Sequence, residues 1–92
     1  MNTTIKERRG NKRYKVAFPI EYTYDDVEMF DDYGTTFDLS NSGMSFYTDK
    51  PLREGLTIKV KIPHLWDVSR SAVVRWNSLK SRQCCKVGVS FS

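Results

Sequence analysis

The chain is short of reactive side chains. It has two cysteines, adjacent at Cys84 and Cys85, and one histidine, His64. Neighbouring strand residues face opposite ways, so the two thiols offer neither an ordinary disulfide nor a metal pair. A single histidine does not make a zinc site. No nucleophile has a base beside it: His64 follows Pro63 at the end of a strand-like run, and the carboxylates crowd one segment with no partner across a site. Catalytic and metal residues are therefore expected to be none. No apolar run approaches the ~18 residues of a membrane span, and no signal-type apolar segment follows the charged start. The sequence reads as soluble and cytoplasmic. It also lacks internal repeats and any helical period sustained over about ten residues.

What remains is a strand pattern. Ninety-two residues suit one domain, which buries roughly 60–65% of its unfolded surface. Tyr14, Val16, Phe18, Ile20, Tyr22 and Tyr24 fall on even positions with smaller or polar residues between them, the two-residue period of a half-buried strand. Pro19 interrupts it and belongs at an edge or a bulge, because it has no N–H for a ladder. Thr35 to Leu39, Met44 to Thr48, Leu56 to Ile62, Val68 to Trp76 and Cys85 to Phe91 continue the series, with turn composition in the segment Asp49 to Gly55. In the fifth run the alternation sets Ala72, Val74 and Trp76 on one face and Arg75 on the other. Six or so short strands predict an all-β fold, and curling one sheet into an antiparallel barrel would remove edges that a small domain cannot cover.

Charge is unevenly placed. Ahead of and into the first strand stand Lys6, Arg8, Arg9, Lys12, Arg13 and Lys15 against only Glu7, while Asp25, Asp26, Glu28, Asp31 and Asp32 form an acidic segment that reads as a solvated loop. Residues 1–13 are accordingly expected to form a flexible basic arm with Gly10 as a hinge, and residues 14–92 the barrel. Arg9 and Arg13, four apart, can converge on one ligand in an extended or a helical chain. A guanidinium donates two parallel hydrogen bonds to a phosphate or to the O6/N7 edge of guanine, and it stacks on purines. Asp38, at a strand end, can accept from the Watson–Crick edge of guanine. Ser40 offers a hydroxyl, and Asn41 and Ser42 offer side chains or N–H groups, to phosphate oxygens. Gly43 suits a sharp turn with positive φ. Read singly, these features are equally a basic tail and a serine turn.

Together they resemble the PilZ domain family. Arg9 and Arg13 match its RxxxR arm, Asp38, Ser40 and Gly43 its (D/N)xSxxG turn, and Val87 to Phe91 its closing strand. The resemblance covers nearly the whole chain. It implies a six- or seven-stranded antiparallel barrel, bacterial in origin, that binds the second messenger cyclic di-GMP and signals to a downstream protein effector. In such a receptor the arginine arm wraps the dinucleotide against the barrel and the turn meets guanine from the other side. Arg8 is a further arm contact, and Trp76 matches a position near the ligand. No DNA binding and no membrane insertion are expected, and a homodimer is compatible with the resemblance. Two other readings compete. One is a general single-stranded nucleic-acid-binding barrel, disfavoured because the basic residues gather in one arm rather than along a groove. The other is a PilZ-like protein-interaction module that binds no nucleotide, which would require a broken motif; both motifs are intact.

Overall fold

The computed structural model describes residues 12–24, 30 and 32–92. Among them are six strands and no helix: β1 (Tyr14–Thr23), β2 (Asp32–Leu39), β3 (Gly43–Thr48), β4 (Thr57–Lys61), β5 (Arg70–Ser81) and β6 (Cys84–Phe91). They close into a barrel in the order β1-β2-β3-β6-β5-β4, and every neighbouring pair is antiparallel. The expected barrel is thus present, with six strands.

Alternation fills the interior. Ile20 and Tyr22 of β1, Met44 and Phe46 of β3, Ile58 and Val60 of β4, Ala72 and Val74 of β5, and Cys85, Val87 and Val89 of β6 are all buried. Leu52 and Ile62, from the segments flanking β4, complete the cluster. The β1–β4 seam that closes the barrel holds only three residue pairs, Glu21–Lys61, Tyr22–Val60 and Thr23–Lys59. Strand β1 therefore pairs on one side alone up to Ile20, and Pro19 lies in that stretch, opposite Thr35, where a missing donor leaves no gap in a second ladder.

Of the four departures from a regular ladder among the described strands, three shape one side of the barrel and the fourth lies at the β5–β6 tip, between Leu79 and Ser81. Between Lys15 and Phe18 β1 carries one residue more than β2 opposite it. Between Thr36 and Asp38 β2 carries one more than β3. Between Val74 and Trp76 β5 carries one more than β6. Each is a bulge, which bends the strand and re-aims the side chains beyond it. The last one corrects the sequence pattern: Ala72 and Val74 point inward as expected, whereas Trp76 emerges with 39% of its surface exposed, on the outside beside Arg75. The extra residue at Arg75 shifts the parity of the strand. Strand β5 also runs past the expected Trp76 to Ser81, and β2 starts at Asp32, ahead of the expected Thr35.

Two buried hydroxyls tie neighbouring strands together, one of them at the β2 bulge. Thr36, fully buried, shares its proton between the carbonyl oxygens of Asp38 (2.9 Å) and Ser45 (2.8 Å), the two residues that face each other across the β2 bulge. Thr48 donates to the Tyr33 carbonyl at 3.1 Å, which makes it the acceptor for the buried Tyr22 hydroxyl at 2.7 Å. Burial pushes the Tyr22 phenol up to about 12, because the phenolate would lose its hydration, and the hydrogen bond to Thr48 offsets only part of this. On the surface nearby, Asp32 at 2.6 Å holds the Lys50 ammonium above its usual range.

Replacing Thr36 with Val keeps the volume and removes the shared donor. The two carbonyls then lose a partner, so urea unfolding is expected to show a loss of about 1–3 kcal/mol. Tyr22 has a raised folded-state pKa, so its protonated form contributes stability that is complete below the ordinary value of 10.0 and is lost as pH rises toward about 12. The stability difference between wild type and Tyr22→Phe, followed by denaturant midpoints from pH 8 to 12, is expected to be constant up to about pH 10 and to swing in favour of the phenylalanine variant above it.

Candidate functional site

The expected ligand turn is built as a closed unit. Ser40 is buried at the end of β2. Its N–H donates to the Gly43 carbonyl at 2.9 Å. Its hydroxyl donates to that same carbonyl at 3.2 Å and accepts from the N–H groups of Ser42 (3.3 Å) and Gly43 (3.2 Å). Serine fits because one short side chain can both donate and accept within a turn of this size. The Ser40 hydroxyl is thus engaged inside the turn, while Asn41 and Ser42 stand exposed at its tip. The turn is also tied down from outside, where the Phe91 N–H donates to the Ser42 carbonyl at 2.8 Å.

Gly43 serves a different purpose from the one its position in the turn suggests. Among the described residues the only glycine with positive φ is Gly55, at 89°. Gly43 is required instead by close approach, since a Cβ there would collide with the Val89 carbonyl oxygen on β6. Any larger residue would push β3 away from β6 at the base of the turn.

The two motifs meet in space. Arg13, immediately before β1, donates through a terminal guanidinium nitrogen to an Asp38 carboxylate oxygen at 2.8 Å, although the residues are 25 apart in the chain. Their side chains are 57% and 24% exposed, so the pair is open to water and contributes roughly 0–1 kcal/mol. Its position follows from register: Asp38 lies opposite Lys15 on β1 and opposite Ser45 on β3, with a bulge beginning on each side. Arg8 and Arg9 lie outside the described residues.

Next to this ion pair is an open cleft of about 170 Å³. Arg13 forms one wall, Ser42 to Ser45 the floor on β3, Gly88 to Ser90 the floor on β6, and Arg75 with Trp76 the far wall. Trp76 reaches this wall because its indole lies directly over Gly88, where a Cβ would overlap the ring. Of the expected site residues, Arg13, Ser42, Gly43 and Trp76 line the cleft. Asp38 adjoins it through Arg13, Ser40 supports it from within the turn, and Asn41 stays at the tip. Arg75, expected on the opposite face, lines it too, because of the bulge. A larger hollow of about 450 Å³ between Tyr24 and the segment Pro51–Leu56 shares no residue with the cleft and contains none of the motif side chains.

The far wall belongs to a strongly cationic part of the chain. From Val68 to Ser92 there are Arg70, Arg75, Lys80, Arg82 and Lys86 and no aspartate or glutamate. Basic residues are therefore not confined to the arm, and the β5–β6 hairpin brings a second positive field to the other side of the cleft. Among the described residues no group of three or more His, Cys, Asp or Glu side chains is arranged to hold a metal ion, and no helix is long and apolar enough to cross a membrane.

Comparison with known proteins agrees with this fold. A solved structure, that of the Bacillus subtilis inhibitor of motility (MotI/DgrA), matches the fold with a TM-score of 0.64 at 15% sequence identity. The match covers 92% of this chain and 43% of the other, so this chain spans less than half of that protein's length. No curated protein matches the chain in sequence. The model of the PilZ domain family matches residues 7–92, which include both arginines of the arm motif, the serine turn and all six strands. The chain belongs to the PilZ domain family.

Proposed function

We propose that this domain is a receptor for cyclic di-GMP that changes the conformation of its arginine-bearing segment on binding and so regulates a protein partner. It works by binding rather than by catalysis. The observation that carries the reading is the 2.8 Å hydrogen bond between Arg13 and Asp38, which sets the arm motif and the turn motif around one cleft.

The chemistry of the ligand fits what surrounds that cleft. A cyclic dinucleotide of guanine presents two anionic phosphodiesters, two flat purines and donor groups on each Watson–Crick edge. Guanidinium groups suit the phosphates and the O6/N7 edges, a carboxylate suits the N1–H and N2–H donors, and an indole suits a purine face. The dimensions call for a second element to cover the ligand. A cleft of about 170 Å³ is smaller than the roughly 300–1,000 Å³ that encloses a whole small-molecule ligand. The barrel wall thus accommodates one part of a dinucleotide, and the family's arginine arm is the element that would cover the rest.

The energy balance favours exchange. Opening the solvent-exposed Arg13–Asp38 pair costs no more than roughly 1 kcal/mol. Each charge-assisted bidentate pairing of an arginine with phosphate or guanine is worth about 1.5–3 kcal/mol. In this scheme ligand separates the pair, guanine takes the Asp38 carboxylate, and Arg13 turns with Arg9 onto the dinucleotide. The altered arm and turn are then what a partner protein reads.

Calorimetric titration tests this directly. Cyclic di-GMP is expected to bind with a dissociation constant that Arg9→Ala or Arg13→Ala each raises about tenfold to a hundredfold, whereas cyclic di-AMP binds much more weakly. Asp38→Ala is expected to narrow the gap between the two nucleotides. If wild-type protein binds neither, or binds both alike, the assignment is wrong; binding of single-stranded oligonucleotides irrespective of base would point to a general nucleic-acid module instead.

A further inference from the structure

We infer that Arg75 is an additional anion-binding residue of this cleft, taking a phosphodiester oxygen of the ligand from the side opposite the arm. The inference rests on the cyclic di-GMP reading above and extends it to a residue outside both sequence motifs.

The bulge between Val74 and Trp76 makes the placement possible. In a regular strand Arg75 would alternate away from Trp76, and only one of the two could face a given ligand. With the extra residue both are exposed, and both line the cleft that Arg13 lines from the other side. Such a re-aiming of adjacent side chains is the common use of a bulge beside a binding site.

The Arg75 guanidinium is also held in place. Its Nε donates to the Ser90 hydroxyl at 2.7 Å. Ser90 stands opposite Gly43 on one side and opposite Val73 on the other, so this bond draws the arginine from β5 across β6 toward the serine turn. Using Nε for this anchor leaves the two terminal nitrogens, with four N–H donors, for a ligand. Among the described residues Arg75 makes no ion pair, so no neighbouring carboxylate there competes for those donors. A fork already held at one nitrogen loses less conformational entropy when it binds than a free side chain would. Lys80, near the tip of the same hairpin, lines no part of the cleft.

The location specifies the ligand group. Trp76, on the same wall, offers its indole to a purine face, and the phosphodiester flanking that purine is the anion a neighbouring guanidinium can reach. Arg13 and Arg75 then grip the dinucleotide from two sides of one cleft.

Titration of the purified 92-residue chain with cyclic di-GMP, comparing wild type, Arg13→Ala, Arg75→Ala, Arg75→Gln and Lys80→Ala, separates the possibilities. Arg75 is exposed, so its variants are expected to melt like wild type. Arg75→Ala and Arg75→Gln are each expected to weaken binding about tenfold or more, the effect of losing one charge-assisted hydrogen bond, while Lys80→Ala changes it less than about twofold, as a screened distant charge should. If Arg75→Ala binds like wild type while Arg13→Ala is weakened, this inference fails and the receptor assignment stands. If Lys80→Ala loses as much as Arg75→Ala, the hairpin acts only as a diffuse field and the inference fails. If wild type does not bind, both fail together.

Discussion

The candidate site depends on a local failure of strand alternation. A barrel of six regular strands would sort its side chains strictly into inside and outside and would set cross-strand partners at fixed intervals. Here β1, β2 and β5 each carry an extra residue on the same side of the molecule. Those irregularities set Asp38 beside Arg13 and put Arg75 and Trp76 on one wall. Interrupting a ladder is costly wherever backbone groups are buried. At β2 the cost is offset by the Thr36 hydroxyl, which serves two carbonyls at once. A core residue that lines no part of the cleft is therefore part of what shapes it.

Most of the fold can be read in the sequence, because burial of one face imposes a period of two and the apolar residues obey it. Ile20 and Tyr22, Met44 and Phe46, and Ile58 and Val60 lie inside as that period requires. The period fails where the backbone adds a residue, since nothing in the run Ala72–Trp76 announces a bulge at Arg75. Strand ends are harder to read for a related reason. Beyond Trp76, β5 has no interior to face, and all of its residues there are exposed, so no apolar alternation remains to reveal a strand that pairing with β6 nevertheless sustains.

The two motifs are legible as residue types and spacing; their roles are less so. Asp38 and Arg13 come together as a shared ligand would require. Ser40 looks like a ligand donor in the sequence, yet its hydroxyl closes the turn that presents Ser42. Gly43 looks like a conformational hinge, yet it marks the place where two strands crowd each other. Gly88 says nothing by itself and acquires meaning only with Trp76 lying across it. Each of these depends on a partner from elsewhere in the fold, and one-dimensional spacing carries no information about such partners.

The narrow closure of the barrel carries a consequence for signalling. Strand β1, which follows directly on the arm, is joined to β4 by a three-pair seam at its far end, so the element through which a ligand would pull also forms the shortest seam of the cylinder. Transient unzipping along that line would leave β1 held by β2 alone, and in the proposed receptor a messenger clamped between arm and turn would act on that same strand from its other end. In such a receptor the strand that carries the arm would also carry the bound state to the seam, so a partner could sense it from a surface that never touches the nucleotide.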